Sequence, residues 1–407
     1  MNLKRKTIAA LTCLSIVGLQ TTMAAPTEKA DTMPEFDLAE VIIRGDRYIA
    51  GDFMRATNDI GVLGKRDMLD SPISVSTISE KAIDSFMSST EGLSMILSLV
   101  PSVQKSTDIA ADSAKIRGFN DDGRGFSING IPGMTAMTRQ STNYIESIDV
   151  IEGPSSGVTG TNNTKNEGGT INLSSKRAVS VPITRATLRW SSKNAIEESI
   201  DVGRRFGDKD RYGVRINASN VTGERAVDHW NLKQRNIYLN LDQKTDRMRT
   251  NYLLGFTHTA SIGRPYGFSL DNMYVGDNIP AATRGSNNYN PKWREDRNTN
   301  LVMTLNHEMD LHKHLTVFLN AGHFKQDWYY YIGFSKKLLN ENGDFKASAD
   351  NYSLIEKRDY IQLGLRGDFR TGACKHQYTV AVDRQWEWYG TTSGLKTITD
   401  GWFGNLY

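Results

Sequence analysis

The chain has 407 residues, with 49 Lys and Arg against 46 Asp and Glu, for a formal net charge of +3. Charge this balanced, spread along the chain, leaves no basic footprint for nucleic acid. With 14 Phe, 16 Tyr and 7 Trp the chain carries too many aromatics to stay uncollapsed, and it lacks the run of about 18 apolar residues that a membrane helix needs. What remains is a strand-rich soluble protein or a β-barrel of the outer-membrane kind. The only cysteines are Cys13 and Cys374, which excludes a disulfide framework, a zinc finger or a redox pair within the chain.

Residues 1–25 carry Lys4, Arg5 and Lys6, then an apolar stretch from Ile8 to Leu19, then Thr22-Met23-Ala24. Basic, apolar and small-residue regions in that order are expected to form a cleaved export signal. Residues 26–62 read as a polar segment and linker. Within it Val41-Ile42-Ile43 is a short β-branched run suited to adding a strand to a partner's sheet edge.

Residues 63–178 alternate α and β signals. Ile73 to Ile78 has the period of a strand, Ser79-Glu80-Lys81 caps a helix reaching about Met87, and a second helix is expected from Thr90 to Leu99, before Pro101. Short strands separated by glycine follow at 115–119, 126–130, 145–151 and 168–173.

Five segments here carry a resemblance: LGKRDMLDSPISVSTISEKAIDSF (63–86), KIRGF (115–119), SINGIP (127–132), YIESIDVIEGPSSGVTG (144–160) and GGTINLSSKR (168–177). In order and spacing they resemble the plug domain of TonB-dependent outer-membrane receptors, particularly the siderophore receptors. AEVIIRG (39–45) then resembles the TonB box, which implies that Leu38, Ala39, Glu40, Val41, Ile42, Ile43 and Arg44 contact TonB. The resemblance further implies that Arg117 and Phe119 lie at one apical plug loop and Gly133 and Met134 at another, where a ligand binds. Arg117 suits an anionic iron chelate, because a guanidinium pairs with negative oxygens. One departure stands out. Glu152 occupies a position that is usually basic in this family and whose positive charge faces barrel carboxylates, so like charges are expected to meet there.

From 183 onward the chain alternates apolar and polar residues. Nine strands are expected near 183–190, 198–206, 211–220, 235–242, 250–259, 298–307, 315–324, 359–369 and 376–388. Gaps 207–210, 243–249, 308–314 and 370–375 are short, whereas 191–197, 221–234, 260–297 and 325–358 are mostly longer. Short turns on one side and long loops on the other mark a transmembrane barrel rather than a soluble sandwich. The fold expected is thus an α+β plug followed by an antiparallel β-barrel from 179 to 407. The family resembles 22-stranded barrels, and nine or ten strands cannot enclose a plug. The chain therefore reads as the N-terminal part of a longer receptor, ending in a loop at Trp402 to Tyr407 rather than a strand.

The resemblance implies TonB-dependent uptake of a ferric siderophore across the outer membrane of a Gram-negative cell. The expected surroundings are TonB, lipid and lipopolysaccharide, with the receptor a monomer and no nucleic acid bound. No catalytic residue, cofactor or resident metal is expected. Trp328-Tyr329-Tyr330-Tyr331 suits either caging of an organic ligand or the membrane-interface belt. Haem, cobalamin or a carbohydrate remain alternative ligands, and a non-transporting or degenerate receptor fragment is an alternative role.

Overall fold

The computed structural model describes residues 48–49, 51–59, 61–86, 92–105, 112–121, 123–161, 167–191, 193–270, 278–332, 336–392 and 397–407. The proposed TonB-contacting residues Leu38 to Arg44 and the export signal lie outside the described residues.

The plug is built on a six-stranded sheet. Its strands, in spatial order, are Tyr48–Ile49, Met54–Arg55, Ser74–Ser79, Ile145–Glu152, Gly169–Ser175 and Ser127–Ile128. The plug sheet therefore begins earlier than the boundary at 63, because Met54 and Arg55 pair with Ile78 and Thr77. All contacts are antiparallel except the last, where Ser127–Ile128 runs parallel to its neighbour. Helix Glu80–Phe86 starts where the Ser79 hydroxyl accepts from the Ala82 amide at 3.3 Å. The second helix is shorter than expected, spanning Leu93–Leu97 after Gly92, whose φ of 73° suits only a residue without Cβ. Ala82, Ile83, Leu93, Ile96 and Leu97 form one core with Ile78, Ile148, Val150, Ile171 and Leu173 of the sheet.

The expected strand at 115–119 is instead a hairpin. Ala114–Ile116 pairs with Phe119–Asp121, and Arg117 and Gly118 form its turn, with φ of 52° and 87°. Two successive left-handed residues match the twist of a tight hairpin, and Gly118 makes that turn affordable.

After the plug come nine long wall strands: Ile183–Ser191, Ala195–Phe206, Tyr212–Glu224, Asn231–Lys244, Met248–Ile262, Glu295–His312, Leu315–Ile332, Asp344–Thr371 and Cys374–Thr391. Each pairs antiparallel with the next. The connections 207–211, 245–247, 313–314 and 372–373 are all short and fall on one side, and the longest connection, 263–294, falls on the other, together with the short 192–194. The alternation has a direct structural cause: Gly213, Arg215, Asn217 and Ser219 are buried on the inner face, whereas Ile237, Ile361, Leu363, Val380 and Val382 are exposed on the outer one. Apolar-out, polar-in strands are what a lipid-facing wall around a polar interior requires. Among the described residues, the first strand pairs only with the second, so the wall is an open part of a barrel.

Two expectations about the loops are corrected. The seventh and eighth strands run far above the apolar band and take up most of the supposed loop 325–358, which also holds a short strand, Lys336–Leu338; among its described residues only 339–343 lie outside strands. The C-terminal stretch is not a loop. Thr397–Asn405 pairs with the upper end of the eighth strand, from Asn405 against Asp344 to Thr397 against Asp350. Phe345, Phe268, Tyr289, Trp402 and Leu406 pack together there. Aromatic clustering, which alternation cannot show, holds this cap.

Candidate functional site

The plug meets the wall along one continuous seam. Tyr238, Leu253, Val302, Phe324 and Tyr360 point inward from five wall strands and complete the plug's apolar core. Tyr144 of the plug stacks on Tyr238. Below this apolar contact runs a band of carboxamides. Asn251 donates to Asn240 at 2.8 Å, Asn306 to Asn320 at 2.9 Å, and Asn320 to Gln362 at 2.9 Å. These residues sit on the fourth to eighth wall strands. Asn129 of the plug bridges the gap between the two groups: its Nδ2 donates to Asn251 Oδ1 at 3.3 Å, and its carbonyl accepts from Asn306 at 2.9 Å. Asn129 holds φ at 52°, a region that Asn tolerates better than most residues.

Toward the short turns lies a cavity of about 580 Å³ lined by both plug and wall, including Arg55, Glu146, Asp149, Arg249, Glu308 and Arg366. Its charges are cross-tied: Arg249 binds Glu308 and Asp310, Arg366 binds Glu308, and Arg55 binds Glu146.

Toward the long loops, the contact between plug and wall is cationic. Arg358 donates to the carbonyls of Arg124 and, at 2.6 Å, Thr135, anchoring two plug loops to the eighth strand. Asn298 donates to Thr138 Oγ1 at 2.6 Å. A small pocket beside it is lined by Thr138 and Arg139 of the plug and by Arg225, Trp230, Arg264 and Asp296 of the wall and its loops. Asp296 accepts from Arg264 at 2.7 Å and from Trp328 Nε1 at 2.6 Å.

Above this pocket, Lys336 ties two loop segments together. It donates to the Tyr266 carbonyl at 2.7 Å and to Asn290 Oδ1 at 2.5 Å. Burial, assisted by the nearby Arg294 charge, pushes its amine down to about 7.

The residues singled out by sequence do not form one site. Arg117 binds Glu152 through Nε at 3.1 Å and Nη2 at 2.9 Å, an ion pair inside the plug. The like-charge encounter expected at Glu152 does not arise, because Arg117 stands beside its carboxylate. Glu152 pairs with Gly169, at the end of the sheet opposite Ser175, and Ser175 is the end that accepts from Asn240 of the wall. Phe119 is exposed beside this turn. Met134 is buried and lies against Gly322 of the wall, while Gly133 lies under Gln385 and Arg358. A Cβ on Gly133 would come within 2.6 Å of Gln385 Nε2, so the close approach explains the glycine. Trp328 is buried on the inner face rather than in an interface belt. Sequence reasoning missed Asn129, Arg225, Trp230 and Asp296. The period-2 pattern carried a signal for Asp296, which shares the inner face with Asn298 and Asn300.

A plug seated against an apolar-out wall, with a polar seam and a loop-side pocket between them, defines a class by its architecture: a plugged β-barrel of the transmembrane kind. Residues 67–165 match the TonB-dependent Receptor Plug Domain. The chain is 28% identical over 352 residues to the ferrichrome receptor FcuA of Yersinia enterocolitica, covering 86% of this chain and 45% of that protein. In structure it is similar to BauA, the ferric preacinetobactin receptor of Acinetobacter baumannii, with a TM-score of 0.81 at 23% identity, over 89% of this chain and 54% of that one. It is also similar to the pyoverdine receptor FpvA of Pseudomonas aeruginosa, with a TM-score of 0.74 at 16% identity, covering 89% and 54%. The chain spans about half the length of these relatives. Over its plug and the first part of its wall, the chain is thus similar to TonB-dependent receptors, and the relatives it matches are siderophore receptors.

Proposed function

We propose that this chain forms the gate and first wall of a receptor that takes up a ferric siderophore across the outer membrane, driven by TonB. The observation that carries this reading is the seating of the plug: an apolar core shared with five inward wall residues, flanked by a seam of hydrogen-bonded carboxamides. A passive pore would not place a folded domain across its own opening. The iron chelate is cargo, and the receptor requires no resident cofactor. TonB engages residues 38–44, and tension there reaches the plug sheet through Met54–Arg55, which pairs directly with Ser74–Ser79. Support for the ligand class comes from relatives named as siderophore receptors.

The test is uptake of radioactive iron as its siderophore complex by cells whose only such receptor is the full-length protein. Uptake is expected with the intact receptor and is expected to vanish when residues 38–44 are deleted, while surface binding of the chelate persists. Uptake that survives the deletion sinks the TonB-driven reading.

A further inference from the structure

We infer that Arg358 is a positioning residue for the gate: one wall guanidinium clasps two plug loops on the long-loop side, and the plug opens there only when Arg358 lets go. This rests on the uptake reading given above and names the group that keeps its gate shut.

The two plug loops are joined to each other before they meet Arg358. The Thr135 hydroxyl donates to the Gly123 carbonyl at 2.6 Å and to that of Phe126 at 3.3 Å, and the Met134 amide donates to the Phe126 carbonyl at 3.2 Å. Residues 123–126 and 133–135 therefore move as one unit. Arg358 donates to one carbonyl in each half of it, that of Arg124 through Nη1 and that of Thr135 through Nη2, the latter at 2.6 Å. The approach is close on both wall strands. A Cβ on Gly133 would lie 3.5 Å from Arg358 Nη1, and one on Gly322 of the seventh strand would lie 2.7 Å from Met134 Sδ and 2.8 Å from Ile131 Cγ2.

The guanidinium is itself held in place. Its Cζ lies 4.5 Å from the centre of the Phe324 ring, and its Nε lies 3.2 Å from Glu356 Oε1. Arg124 and Glu387 also act on the Glu356 charge. Arg358 is 1% exposed and Glu356 is 0% exposed, so bulk water does not compete for this contact while the plug is seated. An arginine keeps its charge when buried, and its planar fork serves two acceptors at once. Releasing the loops strips a buried cation of two acceptors, which sets a threshold for opening.

Position separates this clasp from the other contacts between plug and wall. The Asn129 contacts join neutral groups. Lys176 and Asp201 form another buried ion pair across the boundary, at 3.5 Å, but it lies just before the first wall strand begins at Ile183, where the chain itself already ties plug to wall. The loops under Arg358 are far from that junction along the chain, so the clasp restrains a part of the plug that the covalent link leaves free.

The experiment records ionic current through the full-length receptor in planar lipid bilayers, with no ligand and no TonB present. The wild type is expected to stay closed almost all the time. Arg358→Lys keeps the charge but replaces the fork by a single nitrogen, and is expected to raise the open probability roughly tenfold, the worth of one charge-assisted hydrogen bond. Arg358→Met combined with Glu356→Gln removes both prongs without leaving a lone buried charge, and is expected to raise it roughly a hundredfold. Each variant's melting temperature separates an opened gate from a lost fold. Should the double variant misfold, Arg358→Lys decides by whether its open probability rises. An open probability that stays at the wild-type value in a folded variant, or that rises equally in both variants, overturns the clasp and leaves the uptake reading standing. Steady current through the wild type without ligand overturns the gated reading itself, and the clasp with it.

Discussion

The rings of Tyr144 and Tyr238 lie 3.8 Å apart between centres and within 10° of parallel, one on the plug and the other on the fourth wall strand. Both are buried. The contact sits where the plug core runs into the wall. Replacing either ring with Ala is expected to destabilise the seated plug by about 3 kcal/mol, as for other large buried rings. A double-mutant cycle on denaturant unfolding of the full receptor should give a coupling of roughly 0.5–1.5 kcal/mol. Strict additivity would show that the rings do not support one another.

Asn129 serves the seam through both its backbone and its side chain. Asn129→Gly keeps the left-handed backbone and loses the side-chain bridge, at an expected cost of about 1–3 kcal/mol. Asn129→Ala loses the bridge and also strains the backbone by about 1 kcal/mol more. The urea midpoint for plug unfolding should therefore fall in the order wild type, Gly, Ala. An Ala variant as stable as the Gly variant would contradict the strained-turn account.

The Arg117–Glu152 pair is half exposed on its arginine side, which caps its worth at roughly 1 kcal/mol. Charge reversal at either residue alone should destabilise the plug slightly, and the double reversal should restore it. If ligand affinity rather than stability responds to Glu152→Gln, then Arg117 works as a ligand contact.

Lys336 gives the loop cap a pH dependence of known sign. Its amine is pushed down to about 7 from an ordinary value of 10.5, so between these limits the unfolded loop holds more protons than the folded one. The cap is therefore expected to tighten as pH rises from 7 toward 10.5 and to be loosest below 7. Limited proteolysis of loop 278–294 by subtilisin, compared at each pH with Lys336→Met, should show protection growing with pH in the wild type only. A constant ratio between the two proteins would refute it.

Much of the fold was legible because lipid imposes one rule on every strand: apolar residues outward, at every second position. Ile216 and Ala218 obey it against Arg215 and Asn217, so the nine wall strands could be read off one by one. The rule lapses above the bilayer, where neither face must be apolar. That is why the upper reaches of the seventh and eighth strands, and the strand at Thr397–Asn405, looked like loop. Trp328 was misplaced for a different reason. Its composition suggested an interface belt, but counting by twos from Phe324 and Gln326 puts it on the inner face. The site was hardly legible at all. Arg117 and Glu152 are 35 positions apart, and Arg139 meets Arg225 and Asp296 only through the barrel's curvature.

The carboxamide band between Asn129 and its neighbours on the wall has no polarity of charge. Each amide gives and accepts with equal ease, so a water molecule, or the next amide along, is an almost isoenergetic substitute for the partner it leaves. Ionic strength has little purchase on such a contact, in contrast to the Arg249, Glu308 and Arg366 cluster beneath it. The plug thus rests, along this band, on neutral contacts that salt does not loosen. On the proposed reading, a domain that is pulled and released needs a contact of that kind on the side where it moves.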